Sequence, residues 1–159
     1  MPHTYSRILA GAGLVGALAL SPLALSHFDD KEILQSYRQS WFALVTSNVG
    51  PMFSMLKGEM PWDQDKLKIW SDQFVQLTRM DISRGFAPGS EKGKTRAKPE
   101  IWENRADFDA KMDDMRNAAD ALKVAVSTGD RGMISEAIQA TGGTCKACHD
   151  EYKSENYLY

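Results

Sequence analysis

The chain has 159 residues, room for one domain and too few for two comfortable ones. Hydrophobic residues make up 43% and charged residues 25%, a soluble globular composition, and a net charge of −2 gives no electrostatic footing for nucleic acid. The two cysteines stand three positions apart, too few and too close for a disulfide framework.

In chain order the first element is a targeting segment. Arg7 precedes an apolar, glycine-rich run from Ile8 to Leu20, Ser21-Pro22 breaks it, and Ala24-Leu25-Ser26 carries small residues where a signal peptidase reads. Residues 1–26 are therefore expected to be a cleaved signal peptide and 27–159 the mature domain, located in the periplasm. The run falls short of the ~20 apolar residues of a membrane span, so no stable membrane insertion is expected after cleavage. Cleavage removes Arg7 and His3 and leaves His27 at the new N-terminus, so His149 is the histidine expected in a folded site.

Four helices and no strand are predicted beyond it. The first is predicted over 29–48, with Asp29 or Asp30 as cap, Ile33, Tyr37, Trp41, Leu44 and Val45 on one stripe and Leu34, Arg38 and Phe42 on the next. Gly50-Pro51 is predicted to stop it, and 51–61 to be a connector. The second helix is predicted over 63–83, capped by Asp63, with Leu67, Trp70, Phe74 and Leu77 inward. A basic loop, 85–98, leads to a third helix that starts at Pro99 and runs to about Ser127. In that helix Arg105, Phe108, Met112, Met115, Ala119, Leu122 and Val126 repeat at alternating spacings of three and four, the seam of a bundle helix. Thr128-Gly129-Asp130 turns into the last helix, 131–152, with Ile134, Ile138, Thr141, Cys145, Cys148 and Tyr152 near one face. Four such helices with mostly short connections make an all-α, antiparallel up-down-up-down four-helix bundle. The Gly142-Gly143 pair costs about 2 kcal/mol of helix propensity against alanine, and a bulky flat ligand close to the backbone would compensate.

Cys145-Lys146-Ala147-Cys148-His149 carries the chemistry. Two thiols can add across haem vinyl groups, and the histidine after the second can reach the iron. On a helix these residues stand at i, i+3 and i+4 and project from one face. A zinc site needs about four ligands, and there is no second Cys/His pair. A thioredoxin-like redox pair expects a strand-then-helix setting, and a plain disulfide leaves His149 and the glycine pair without a role. The reading is one covalently bound haem c.

The chain resembles the cytochrome c′ family, class II c-type cytochromes with the haem site near the C-terminus of a four-helix bundle. The resemblance spans roughly 30–155 and is carried by Tyr37-Arg38-Gln39, Lys57-Gly58-Glu59-Met60-Pro61-Trp62-Asp63, Phe86-Ala87-Pro88-Gly89-Ser90, Thr95-Arg96-Ala97-Lys98-Pro99-Glu100-Ile101-Trp102 and Gly143-Thr144-Cys145-Lys146-Ala147-Cys148-His149-Asp150. It implies that Cys145 and Cys148 bind haem covalently and that His149 is the proximal iron ligand. It implies further that Arg38 stands beside a haem propionate, that Gln39 contacts the haem and that Phe42 covers the distal face. Where the family often has a basic residue one turn after the histidine, this chain has Lys153. It also implies a homodimer through the first two helices, an expectation to which the sequence adds only the apolar surplus of those helices.

Phenylalanine cannot ligate iron, and the predicted first helix holds no methionine. The expectation is a five-coordinate, high-spin haem whose apolar open side binds nitric oxide or carbon monoxide and which transfers single electrons. The alternative is a low-spin electron carrier with a sixth ligand from Met52 or Met55 of the 51–61 connector; Met112 and Met115 read as core packing. Turnover of nitric oxide or peroxide is the weakest reading, because no acid/base dyad or nucleophile constellation is evident; the chain is not expected to be an enzyme. Either Arg96 or Lys98 is a candidate to meet a propionate, and Phe86 or Trp102 to touch the ring edge.

Overall fold

The structure is a computed structural model that describes residues 33–158. The signal peptide, the cap at Asp29 or Asp30 and the start of the mature domain at 27 lie outside the described residues.

Four long helices make the bundle: α1 (Ile33–Leu56), α2 (Gln64–Thr78), α4 (Arg105–Thr128) and α5 (Arg131–Tyr152), with a short α3 (Glu100–Glu103) and one 3-10 turn (Ser83–Phe86) between α2 and α4. Neighbours pack in a ring, α1 on α2, α2 on α4, α4 on α5 and α5 on α1. That is the expected up-down-up-down bundle. Among the described residues the only β-type pairing is an isolated antiparallel bridge between Ala97 and Lys153, and no helix is long and apolar enough to cross a membrane.

The α4 seam runs as its period predicts. Phe108, Met112, Met115, Ala119, Leu122 and Val126 are all buried, and only Arg105, at the helix start, is half-exposed. The ends of the α4–α5 turn obey local rules. Gly129 closes α4 in the left-handed region at φ 73°, where a side chain is strained. Asp130 accepts from the Met133 N–H at 2.9 Å and starts α5. Asp63 caps α2 as predicted, accepting from the backbone of Asp65 and Lys66.

Three boundaries differ from the sequence reading. Gly50-Pro51 does not stop α1, which continues through Pro51 to Leu56. An interior proline costs about 3 kcal/mol, but the turn beyond it buries Met52 (0% exposed) and Met55 (1%) completely. At roughly 1.5–3 kcal/mol for each buried side chain, that burial outweighs the proline. The α1 stripe is also rotated. Ile33 and Leu44 are exposed, and the buried line runs Arg38, Trp41, Val45, Val49, Met52. The helix predicted from Pro99 breaks at Asn104, whose φ of −113° and ψ of 46° separate α3 from α4. α2 ends at Thr78, short of Ser83, and the 3-10 turn after it carries Phe86 into the core.

Gly142 packs closely against α1. A Cβ there would meet Phe53 Cζ at 2.9 Å, so the close approach is to an α1 ring, while Gly143 faces open space. Gly142→Ala should therefore lower the thermal midpoint, even though alanine gains about 1 kcal/mol of helix propensity. A raised midpoint would show that Phe53 swings aside at no cost.

Candidate haem site

Cys145, Cys148 and His149 lie in the last turns of α5, which packs against α1 and α4. The cysteines are half-buried. Burial raises both thiols, that of Cys148 to about 11. Burial also lowers His149, and the cations Lys153 and Arg96 lower it further, against a smaller opposing effect of Asp150. These effects favour the neutral imidazole, the form that binds a metal.

Across from His149 stands Phe42 of α1. Their rings are 6.3 Å apart at 60°, and Phe42 is braced edge-on by Trp41 at 4.8 Å. Two cavities meet at this pair. The larger, about 580 Å³, is lined by Arg38, Gln39, Phe42, Cys148 and His149 together with Phe86, Thr95–Ala97, Phe108, Tyr152, Lys153 and Tyr157. The smaller, about 240 Å³, reaches Cys145, Val45, Val49, Phe53, Lys111, Met112 and Met115. Phe42, Thr46, Cys148 and His149 line both. The larger cavity alone is within the ~300–1,000 Å³ of small-molecule and cofactor sites.

Arg38 closes one end. It is 3% exposed, and its guanidinium donates to Gly85 O (2.8 Å), Ser90 Oγ (3.1 Å), Ser90 O (3.0 Å) and Thr95 Oγ1 (2.8 Å). It also lies 5.2 Å above the Phe86 ring. All four acceptors are neutral, and burial lowers the guanidinium to about 10, with Glu91 opposing. A buried cation held by neutral partners suits an anion in the cavity. Gln39 lines the same cavity and donates weakly to Lys94 O at 3.4 Å.

The remaining candidates divide. Arg96 lines the larger cavity and donates to Ser154 O at 2.7 Å. Lys98 does not line it; its ammonium caps the α5 C-terminus on Asp150 O and Glu151 O. Phe86 is at the cavity, whereas Trp102 does not line it; its ring lies 5.7 Å from the Arg38 guanidinium and its indole donates to Ala87 O at 3.3 Å. Met52 and Met55 line neither cavity, while Met112 and Met115 line the smaller one.

Some lining residues were missed in the sequence. Thr46 stands one turn beyond Phe42, so helical period could have found it. Tyr152 was placed only on a core face. Its hydroxyl donates to Asp107 Oδ2 at 2.6 Å, across 45 residues, a contact with no local signal. That bond lowers Asp107 and, after burial, raises Tyr152. A lowered carboxylate adds stability above its unfolded pKa of about 3.9 that is lost as pH falls through the folded value. A raised tyrosine adds stability below its unfolded pKa of about 10 that is lost as pH rises through the folded value. Tyr152→Phe should flatten both limbs of a stability–pH profile; two unchanged limbs would dismiss the coupling.

The donor set fits a haem c: two thiols and an imidazole on one helix face, an apolar cavity, and a buried cation in its lining. A haem held here would be bordered by Phe42 on α1 and His149 on α5, whose rings stand 6.3 Å apart. Fold and site together define a c-type, four-helix-bundle haem protein.

Comparison with known proteins narrows the class. The sequence pattern of the cytochrome c′ family matches residues 34–153. A cytochrome c′ of Cereibacter sphaeroides is 35% identical over 144 residues, 88% of this chain and 95% of that protein. The structure of a cytochrome c′ from Shewanella frigidimarina superposes with a TM-score of 0.75 at 39% identity, covering 80% of this chain and 99% of that one. A ferrous variant of the Alcaligenes xylosoxidans cytochrome c′ with bound NO gives 0.72 at 33% identity, over 81% of this chain and 99% of that one. The chain belongs to the cytochrome c′ family, haem proteins of electron transfer and gas binding rather than enzymes in the ordinary sense, and its cofactor is one covalently bound haem c.

Proposed function

We propose that Cys145 and Cys148 form the two thioethers, that His149 is the axial ligand, and that the iron is five-coordinate, with an open apolar side under Phe42 that takes up nitric oxide or carbon monoxide. The observation that carries this reading is the pairing of Phe42 with His149 across the junction of the two cavities. The haem supplies a one-electron couple and a vacant iron coordination site. The chain's residues do the rest. His149 binds from α5, Phe42 occludes the opposite side from α1, and Val45 and Val49 keep that side dry. Arg38 compensates a propionate at the far end, and Gln39 borders it. An apolar site favours neutral diatomics, because an anion there would be desolvated without a partner.

The alternative methionine ligand draws no support from 52–55, since both methionines there are fully buried helix core. A relative from Alcaligenes xylosoxidans held with NO supports the gas-binding reading. Residues 1–26 as a signal peptide, 27–159 as the mature domain and the periplasm as its location complete the proposal. Ile33 and Leu44 on α1 and Ile69 on α2 are exposed apolar side chains, which supports a homodimer through these helices; sedimentation velocity tests it.

One spectrum decides the coordination. The untreated holoprotein should be high-spin in both oxidation states and should change on adding CO or NO. A six-coordinate, low-spin spectrum would overturn the proposal, and Met112→Leu and Met115→Leu would then show whether the smaller cavity supplies the ligand.

A further inference from the structure

The chain continues past Lys153, the last residue matched to the family, and residues 154–158 run back beside the segment that leads into α3. Directly after α5 the backbone turns extended, with Lys153 at φ −118° and ψ 123°. It then pairs with the segment leading into α3. Ala97 and Lys153 form the isolated bridge. Lys98 N donates to Tyr152 O (3.0 Å), Ser154 N to Arg96 O (2.8 Å) and Leu158 N to Thr95 O (2.9 Å). The Arg96 side chain adds a bond to Ser154 O at 2.7 Å, and the Lys94 ammonium sits 5.3 Å over the Tyr157 ring. Both segments face the larger cavity, one through Thr95, Arg96 and Ala97, the other through Lys153 and Tyr157.

This pairing is held differently from the helices. Tyr157 is 57% exposed and Leu158 37%, so little apolar burial secures the end of the chain. Segments secured mainly by exposed backbone bonds open locally at a small fraction of the global cost. Cys145, Cys148 and His149 lie on α5, before the extended turn, and need not move when the pairing opens. Three cations, Lys94, Arg96 and Lys153, flank Tyr157 at this wall, so an opening here would draw anions.

We propose that residues 153–158 are a latch over this side of the larger cavity, with Tyr157 as the covering side chain, and that opening of the latch governs how fast an anionic reductant reaches the haem edge. The inference rests on the haem occupying the cavity, but not on its spin state.

The test uses the haem-loaded protein with ascorbate, an anion, as reductant. The C-terminal peptide should exchange its amide hydrogens about tenfold more slowly than an unstructured chain, seen by mass spectrometry. A chain ending at Ser154, and Tyr157→Ala in the full-length chain, should each be reduced several-fold faster. A C-terminal peptide that exchanges freely, or equal reduction rates in the full chain and both variants, would overturn the latch. If the shortened chain does not fold, Tyr157→Ala, at an exposed side chain, still decides. A low-spin spectrum with a latch-dependent reduction rate would sink the coordination proposal and leave this one standing.

Discussion

Phe42→Ala should speed carbon monoxide binding to the ferrous protein on the order of tenfold, which corresponds to about 1.4 kcal/mol off the barrier. The ring faces His149 at 6.3 Å and is the aromatic side chain that lines both cavities from the α1 side. On the proposed coordination, a diatomic would reach the haem only past this ring. The ring is only half-buried and is braced on one side by Trp41, so its loss should cost less than the 3–5 kcal/mol of a fully buried phenylalanine. Stopped-flow mixing or flash photolysis gives the rate, and urea unfolding the stability. An unchanged association rate would remove Phe42 from the gate and leave it as packing.

Arg38→Met should destabilise the protein by about 3 kcal/mol, the largest loss expected from a single residue outside the apolar core. The guanidinium holds Gly85, Ser90 and Thr95 from one point on α1, and Arg38 is 3% exposed. Methionine fills the volume but leaves Ser90 O without its donor, at roughly 1–3 kcal/mol, and removes one of two partners from Gly85 O and Thr95 Oγ1, which keep Ser90 Oγ (3.4 Å) and Ala97 N (3.1 Å). Relief of a buried charge offsets part of that. The lowering of Arg38 to about 10 by burial shows the sign: the charge itself opposes folding, and the donors provide the gain. Arg38→Lys should recover only a fraction, because an ammonium lacks the planar fork that reaches three chain segments. A urea midpoint within error of the natural chain would mean that the loop folds without this network.

How far the sequence could be read varied with the range of the interaction. The seam of α4 was legible because each of its buried positions is set by one helical period. The helix-spaced cysteines and histidine were legible for the same reason, and the cap at Asp63 needs only its own turn. Pro51 misled because the local rule is real but smaller than the burial of Met52 and Met55, which depends on helices elsewhere in the chain. Leu44 misled because a helix with two apolar stripes does not say which one faces its partners. Tyr152 and Asp107, or Tyr157 and Lys94, carry no pattern that announces their contact.

By itself the sequence determined the all-α class, the number of long helices and the haem-attachment motif, all written within a turn or two of chain. Only the tertiary structure decided how a buried arginine is satisfied and which segments wall the cavity. A cavity is the space left where helices α1, α4 and α5 fail to close on one another. Its shape therefore depends on packing between residues tens of positions apart, which no local pattern encodes.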